Sequence, residues 1–142
     1  LTDFVLEDFL PYQLAAASSR VSAGFAEIYK QKFGISLAEW RLVAHLSQTS
    51  AVSVREIHNR IDMDKSKISR AATRLEASGH VTKRENSKDR RLIELALTQK
   101  GRDMMEELTP LARQYEQEVL QQLGQNSQSL QPLLKHLLNQ PT

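Results

Sequence analysis

The sequence predicts a mainly α-helical fold with a small β-hairpin, an α+β arrangement with long helices at both ends. Three observations carry this. Apolar residues recur at spacings of three and four along most of the chain, the helical period. Between residues 81 and 97 the spacing shortens to two, the strand period, on either side of a polar loop. Positive charge gathers in the middle: residues 52–102 carry thirteen Lys/Arg against seven Asp/Glu, a net of +6, while the rest carries six against ten, a net of −4.

The first helix is expected over residues 11–32, with Pro11 tolerated in the first turn, Leu14, Ala17, Val21, Phe25 and Ile28 on one face, and Gly34 ending it. Ser36 and Glu39 have the spacing of a capping box and start a second helix at Leu37, which carries Trp40, Leu42, Val43 and Leu46 inward and stops near Thr49 and Ser50. Ser53 and Glu56 repeat the signal and open a short helix marked by Val54, Ile57 and Ile61. After a few residues Asp64 caps the next helix, Lys65 to Ala77, closed by Gly79. Two strands follow, from Val81 to Glu85 and from Leu92 to Leu97, joined by a loop over residues 86–90. A hairpin after two short, closely spaced helices makes a winged helix-turn-helix. Thr98 caps a long helix to about Leu123, with a kink expected at Pro110 and a break at Gly124. The last helix holds Leu130, Leu133, Leu134, Leu137 and Leu138, and Pro132 places its start near Ser129 or Leu130.

A chain of 142 residues suits a single domain with a core of its own. We divide it into a winged lobe, residues 36–98, and flanking helices, residues 1–35 and 99–142. The longest apolar run, Leu14 to Ala17, is far too short to cross a membrane. Asp3, Glu7 and Asp8 stand where a secretory signal would be basic, so a cytoplasmic protein is expected. With no cysteine, disulfides, thiolate-bound zinc and thiol redox sensing are excluded. His45, His58, His80 and His136 form no metal-binding pair. No Gly-x-Ser-x-Gly nucleophile and no Gly-rich phosphate loop is present, so neither enzyme, cofactor nor bound metal is expected.

The charge distribution points to nucleic acid. On a helical wheel, Ile68, Ala71, Ala72 and Leu75 share one apolar face. The opposite side carries Ser66, Arg70, Thr73 and Arg74, flanked by Lys67 and Ser69, with Lys65 in the first turn. Such residues suit the major groove, where Arg and Lys pair with guanine or phosphate and small hydroxyls let the helix sit close. Lys88, Arg90 and Arg91 cluster at the hairpin tip, where a thin element can enter the narrow minor groove. Asp89 among them is expected to hold a neighbouring arginine in one rotamer. A double-stranded DNA partner follows. The leucine-rich terminal helices have little to cover within so small a lobe, which favours burial against a second copy. Two copies would then meet half-sites about one helical turn, roughly 34 Å, apart.

Asp89, Arg91, Leu95, Leu97 and Thr98 fit the wing pattern Asp-x-Arg-x-x-x-Leu-x-Leu-Thr at every fixed position, and the chain thereby resembles the MarR family of bacterial regulators. The resemblance extends to Trp40 and Arg41, to Asp64, Ser66, Ser69 and Arg70, to Leu75 and Gly79, and to Thr98 and Gly101. It implies a homodimer whose first and last two helices interlock, a palindromic operator, commonly repression, and release by a small molecule lodged between stem and reading lobe. It also implies that Arg70 and its neighbours read the major groove while Arg91, restrained by Asp89, enters the minor groove. The lack of cysteine excludes the family's peroxide-sensing branch. Since many relatives bind anionic aromatic acids, Arg20 and His45, at the edges of apolar helix faces, are candidate effector contacts. A metal-responsive regulator and a winged-helix protein-interaction module are the alternatives.

Overall fold

The computed structural model describes residues 3–140, so the outermost ends of the two flanking segments, residues 1–2 and 141–142, lie outside the described residues. A 3₁₀ turn, Leu6–Asp8, leads into α1 (Leu10–Phe33). Gly34 ends α1 in the left-handed conformation, φ 68°, which favours glycine. Next come α2 (Leu37–Leu46), β1 (Val52–Ser53), α3 (Val54–Arg60), α4 (Lys65–Ala77), β2 (Val81–Glu85), β3 (Ile93–Leu97), α5 (Gln99–Leu123), a second 3₁₀ turn and α6 (Ser127–Leu138).

The caps sit where the sequence places them. Glu39 N–H donates to Ser36 Oγ (3.2 Å) while Ser36 N–H donates to the Glu39 carboxylate (2.9 Å), a complete capping box. At α3 only half of the expected box forms. Glu56 N–H donates to Ser53 Oγ (3.1 Å), but the Glu56 carboxylate accepts from the Ser53 hydroxyl (3.4 Å) and from Arg60 (3.3 Å). Ser53 also belongs to a strand. β1, which the sequence reading lacks, pairs antiparallel with β3, Val52 opposite Leu95 and Ser53 opposite Glu94. The sheet order is β1-β3-β2, with Val81 opposite Leu97 and Lys83 opposite Leu95.

Three further boundaries differ from expectation. α2 ends at Leu46: Ser47 N–H still closes an α turn on Val43, but Gln48 and Thr49 N–H close tighter turns on His45 and Leu46. Leu92 lies in the hairpin turn, its N–H donating to the Asp89 carbonyl. α6 begins at Ser127, directly after the 3₁₀ turn, so Pro132 sits in its second turn; the amide bond to the Gln128 carbonyl is lost, and exposed Gln128 leaves that oxygen to water. α5 runs unbroken through Pro110.

The core joins the lobe to the long helices. Leu42, Val43 and Leu46 of α2, Ile57 of α3, Ile68, Ala71, Ala72 and Leu75 of α4, and Val81, Leu95 and Leu97 of the sheet pack with Tyr29 of α1 and Met104 and Leu108 of α5. Phe25, Tyr29, Trp40 and Tyr115 form an aromatic cluster at this junction: Phe25 meets Trp40 edge-on at 5.0 Å, and Tyr29 stacks on Trp40 at 5.9 Å. The Tyr115 hydroxyl donates to the Val21 carbonyl (2.6 Å), tying α5 to α1. Away from the junction the apolar faces are bare. No residue of α6 is buried, and Leu133, Leu137 and Leu138 are 62%, 49% and 80% exposed.

Candidate nucleic-acid interface

α4 is positioned by its cap and its buried face. Asp64 Oδ1 accepts from Lys67 N–H (2.8 Å) and from Ser66 Oγ (2.8 Å), and these bonds hold the Asp64 carboxyl below the usual carboxylate range, with Lys67 and Arg70 adding charge. Ile68, Ala71, Ala72 and Leu75 are buried, which turns Lys65, Ser66, Lys67, Ser69, Arg70, Thr73 and Arg74 outward; all seven are exposed. Among the described residues the side chains of Lys65, Lys67, Arg70 and Arg74 have no hydrogen bond or ion pair. Four uncommitted cations on one exposed helix can attract a polyanion and donate to it.

Thr73 is different. Its hydroxyl donates to the Ser69 carbonyl (3.0 Å) and accepts from Lys83 Nζ (2.8 Å), which reaches across from β2. Lys83 also lines, with Ser69, Ala72, Arg84 and Ile93, a cavity of about 390 Å³ between α4 and the hairpin. On the other flank Lys67, Arg70 and Arg74 line a cavity of about 340 Å³ together with Arg41 of α2, Ser36 and Asp62. Lys83 and Arg41 are thus additions to the candidate set that the sequence reading did not single out as contacts. Both carried a signal. Lys83 alternates with buried Val81 and so faces inward on β2, and Arg41 follows Leu37 by one helical turn on the flank beside α4.

The hairpin tip is ordered by side chains. Asn86 Oδ1 accepts from Lys88 N–H (2.8 Å) and Asp89 N–H (3.0 Å), while Asn86 Nδ2 donates to Glu94, which also pairs with Arg84 (3.4 Å). Asp89 takes Arg91 in a fork, Nε to Oδ1 at 3.0 Å and Nη2 to Oδ2 at 3.1 Å, and accepts from Arg91 N–H as well. Arg91 accordingly holds the Asp89 carboxyl low, aided by Arg55, and Asp89 in turn raises the Arg91 guanidinium. The expected restraint of an arginine by Asp89 is therefore present, and it falls on Arg91. Lys88 and Arg90 have no side-chain partner among the described residues.

Arg20 and His45 lie elsewhere. Arg20 is exposed on α1, His45 is half-buried on α2, and neither lines either cavity. His45 Nε2 is buried without a partner; burial lowers its pKa and Arg60 lowers it further. The Tyr29 hydroxyl at the aromatic junction is likewise buried and unpartnered, and burial raises it against the opposing charge of Arg41.

Residues 33–92 match a family model described as MarR family. The HTH-type transcriptional repressor MdtR of Bacillus subtilis (strain 168) is 33% identical over 78 residues, which are 55% of this chain and 50% of that relative's length. A crystal structure of a MarR/EmrR family transcriptional regulator from Acinetobacter sp. ADP1 superposes with a TM-score of 0.83 at 28% identity, covering 96% of each chain. The structure of Bordetella bronchiseptica BpsR, described as regulated in DNA binding by 6-hydroxynicotinic acid, superposes with a TM-score of 0.88 over 99% of this chain and 100% of that one. At 20% identity that likeness is one of fold. Residues 33–92 thus match the MarR family, and the chain shares the winged architecture of transcriptional regulators described as belonging to it.

Proposed function

We propose that this protein is a sequence-specific regulator that binds double-stranded DNA as a homodimer on a palindromic operator, represses transcription there, and is released by a small anionic aromatic effector. The single observation that carries the DNA reading is the outward row of unpaired cations on α4, set beside a hairpin whose Arg91 is held by Asp89. Arg70, Arg74 and Lys67, with Ser66, Ser69 and Thr73, take the major groove. Lys65 and Lys88 take phosphates, and Arg90 and Arg91 the flanking minor groove. Residues 36–98 form the reading lobe. The helices on either side form the stem, supported by apolar residues that the monomer leaves open to water: Leu6, Phe9, Leu10 and Val21 at one end and Leu130, Leu133, Leu137 and Leu138 at the other. The effector is argued from BpsR's described ligand, with Arg20 and His45 as candidate contacts at the junction of stem and reading lobe.

The test is a fluorescence-anisotropy titration with DNA from upstream of the protein's own gene at increasing salt. The log of affinity should fall against the log of salt with a slope of about −0.9 per phosphate neutralised. Arg70→Ala should cost roughly 1–3 kcal/mol on the operator and relax one base position, whereas Lys88→Ala should weaken all sequences alike. A salt-independent affinity, or equal losses on operator and random DNA for both variants, overturns this reading.

A further inference from the structure

We propose that Lys83 determines what Thr73 can read: by engaging the Thr73 hydroxyl from the hairpin, it leaves on the outer face of α4 an acceptor and a methyl group without a donor, so the helix disfavours guanine at the base it faces. This rests on the DNA-binding reading above and concerns a residue, Lys83, that lies outside the expected contact set.

A threonine hydroxyl has one hydrogen to give and two lone pairs. Here the hydrogen goes to the Ser69 carbonyl at 3.0 Å and one lone pair takes Lys83 Nζ at 2.8 Å. The two bonds run in series, from ammonium through hydroxyl to carbonyl, so each polarises the next and turning the hydrogen outward breaks the chain. They also lock the side chain in one rotamer; a helical threonine otherwise divides between two. One lone pair and the methyl remain. Thr73 is exposed and lies two turns after Ser66, on the side of α4 that also carries Ser69 and Arg70. In the major groove an acceptor can take a hydrogen only from adenine N6 or cytosine N4, and a methyl packs on the thymine methyl; guanine offers two acceptors and no donor. Facing guanine, the remaining lone pair would be desolvated against another.

The arrangement also separates two duties. Lys83 spends one of its three N–H groups on Thr73 and keeps its charge, so it adds to phosphate attraction while fixing a neighbour that discriminates. A purely structural lysine, or one that only touches phosphate, would change affinity without changing base preference.

The experiment is selection of duplexes from a randomised library by the full chain, read by sequencing, for the unaltered protein, Lys83→Met, Lys83→Arg, Thr73→Val and the Lys83→Met, Thr73→Val pair. The unaltered protein should deplete guanine roughly threefold to tenfold at one position in each half-site, the range of a single hydrogen bond. Lys83→Met should reduce that depletion to less than about twofold there while leaving the other positions selective, and Lys83→Arg, which can still donate, should restore it. Thr73→Val should abolish the adenine or cytosine preference at the same position, and adding Lys83→Met should then change affinity but no base preference. Circular dichroism of each variant establishes that it is folded. Guanine depletion that survives Lys83→Met, or a Lys83→Met effect that is unchanged in the Thr73→Val background, overturns the inference while leaving DNA binding intact. Absence of any sequence-selective binding by the unaltered protein overturns the DNA reading and this inference with it.

Discussion

Replacing Gly101 with alanine sets a methyl carbon 2.2 Å from the His80 carbonyl oxygen, 3.2 Å from its carbon and 3.0 Å from Leu97 Cδ2. Ordinary carbon–oxygen contact is about 3.3 Å, so α5 and the backbone entering β2 must separate by about 1 Å. Neither is free to do so. The His80 carbonyl accepts from Thr98 N–H at 3.0 Å, and His80 N–H donates to Leu75 at 2.8 Å. Thr98 Oγ1 in turn accepts from Gly101 N–H at 3.1 Å and donates to the Gly79 carbonyl at 2.6 Å. Overpacking costs about 1–3 kcal/mol and a lost hydrogen bond about 1, offset by about 1 from alanine's better helix propensity. A net loss of roughly 2 kcal/mol corresponds to a fall of about 4–8 °C in melting temperature for a chain of this size. Urea and thermal unfolding followed by Trp40 fluorescence measure it. Gly24→Ala is the control: its methyl also falls 2.2 Å from an oxygen, but that oxygen is the Tyr115 hydroxyl, the end of a side chain that can swing aside. The ring must leave the Val21 carbonyl and shift against Phe25, but no backbone has to move, so the loss should be smaller than for Gly101→Ala. Stability of Gly101→Ala equal to the unaltered protein, or no lower than that of Gly24→Ala, would refute the reasoning.

Acid sensitivity should trace partly to Asp64 and Asp89. Their folded pKa values lie below the ordinary 3.8, so the unfolded chain binds protons more readily; the stability they contribute is present above about 3.8 and is lost as pH falls through the folded values. Asp64→Asn keeps an oxygen for Lys67 N–H but cannot titrate, and its melting temperature should change less than that of the unaltered protein on acidification through that window. Burial lowers His45 and His80, so their neutral forms favour folding above the ordinary 6.5 and that contribution fades as pH falls through the folded values. Proton NMR should find both imidazoles with midpoints under 6.5, and a midpoint at or above it for His45 contradicts the burial of its Nε2. For the stem, sedimentation should show a dimer at micromolar concentration, and Leu133→Glu with Leu137→Glu should shift it toward monomer; a monomeric unaltered protein contradicts the proposed assembly.

α4 was legible to the residue. Asp64 is a capping type, the spacing of Ile68, Ala71, Ala72 and Leu75 sets the buried face, and Gly79, at φ 84°, marks the end with a conformation other residues resist. Lys65 to Ala77 follows from those signals alone. β1 was not legible, because two residues carry no period and their pairing with β3 spans some forty positions. The Lys83 bond to Thr73 escaped for a related reason: alternation turns Lys83 inward, but what it meets depends on how the hairpin docks on α4. In α6 the leucine spacing indicated a helix correctly, yet the same spacing serves whether the covering surface is in the same chain or another. In the structure these leucines stay exposed.

Ser53 holds two posts at once. Its backbone is the last rung of β1 against Glu94, and its hydroxyl caps α3, accepting from Glu56 N–H. No spacer separates strand from helix, so the hairpin cannot tilt without turning α3, and α3 packs on α4. Helix and hairpin are therefore coupled through a single residue. A residue inserted between Ser53 and Val54 would disconnect them, whereas one added at the hairpin tip would leave their mutual aim unchanged.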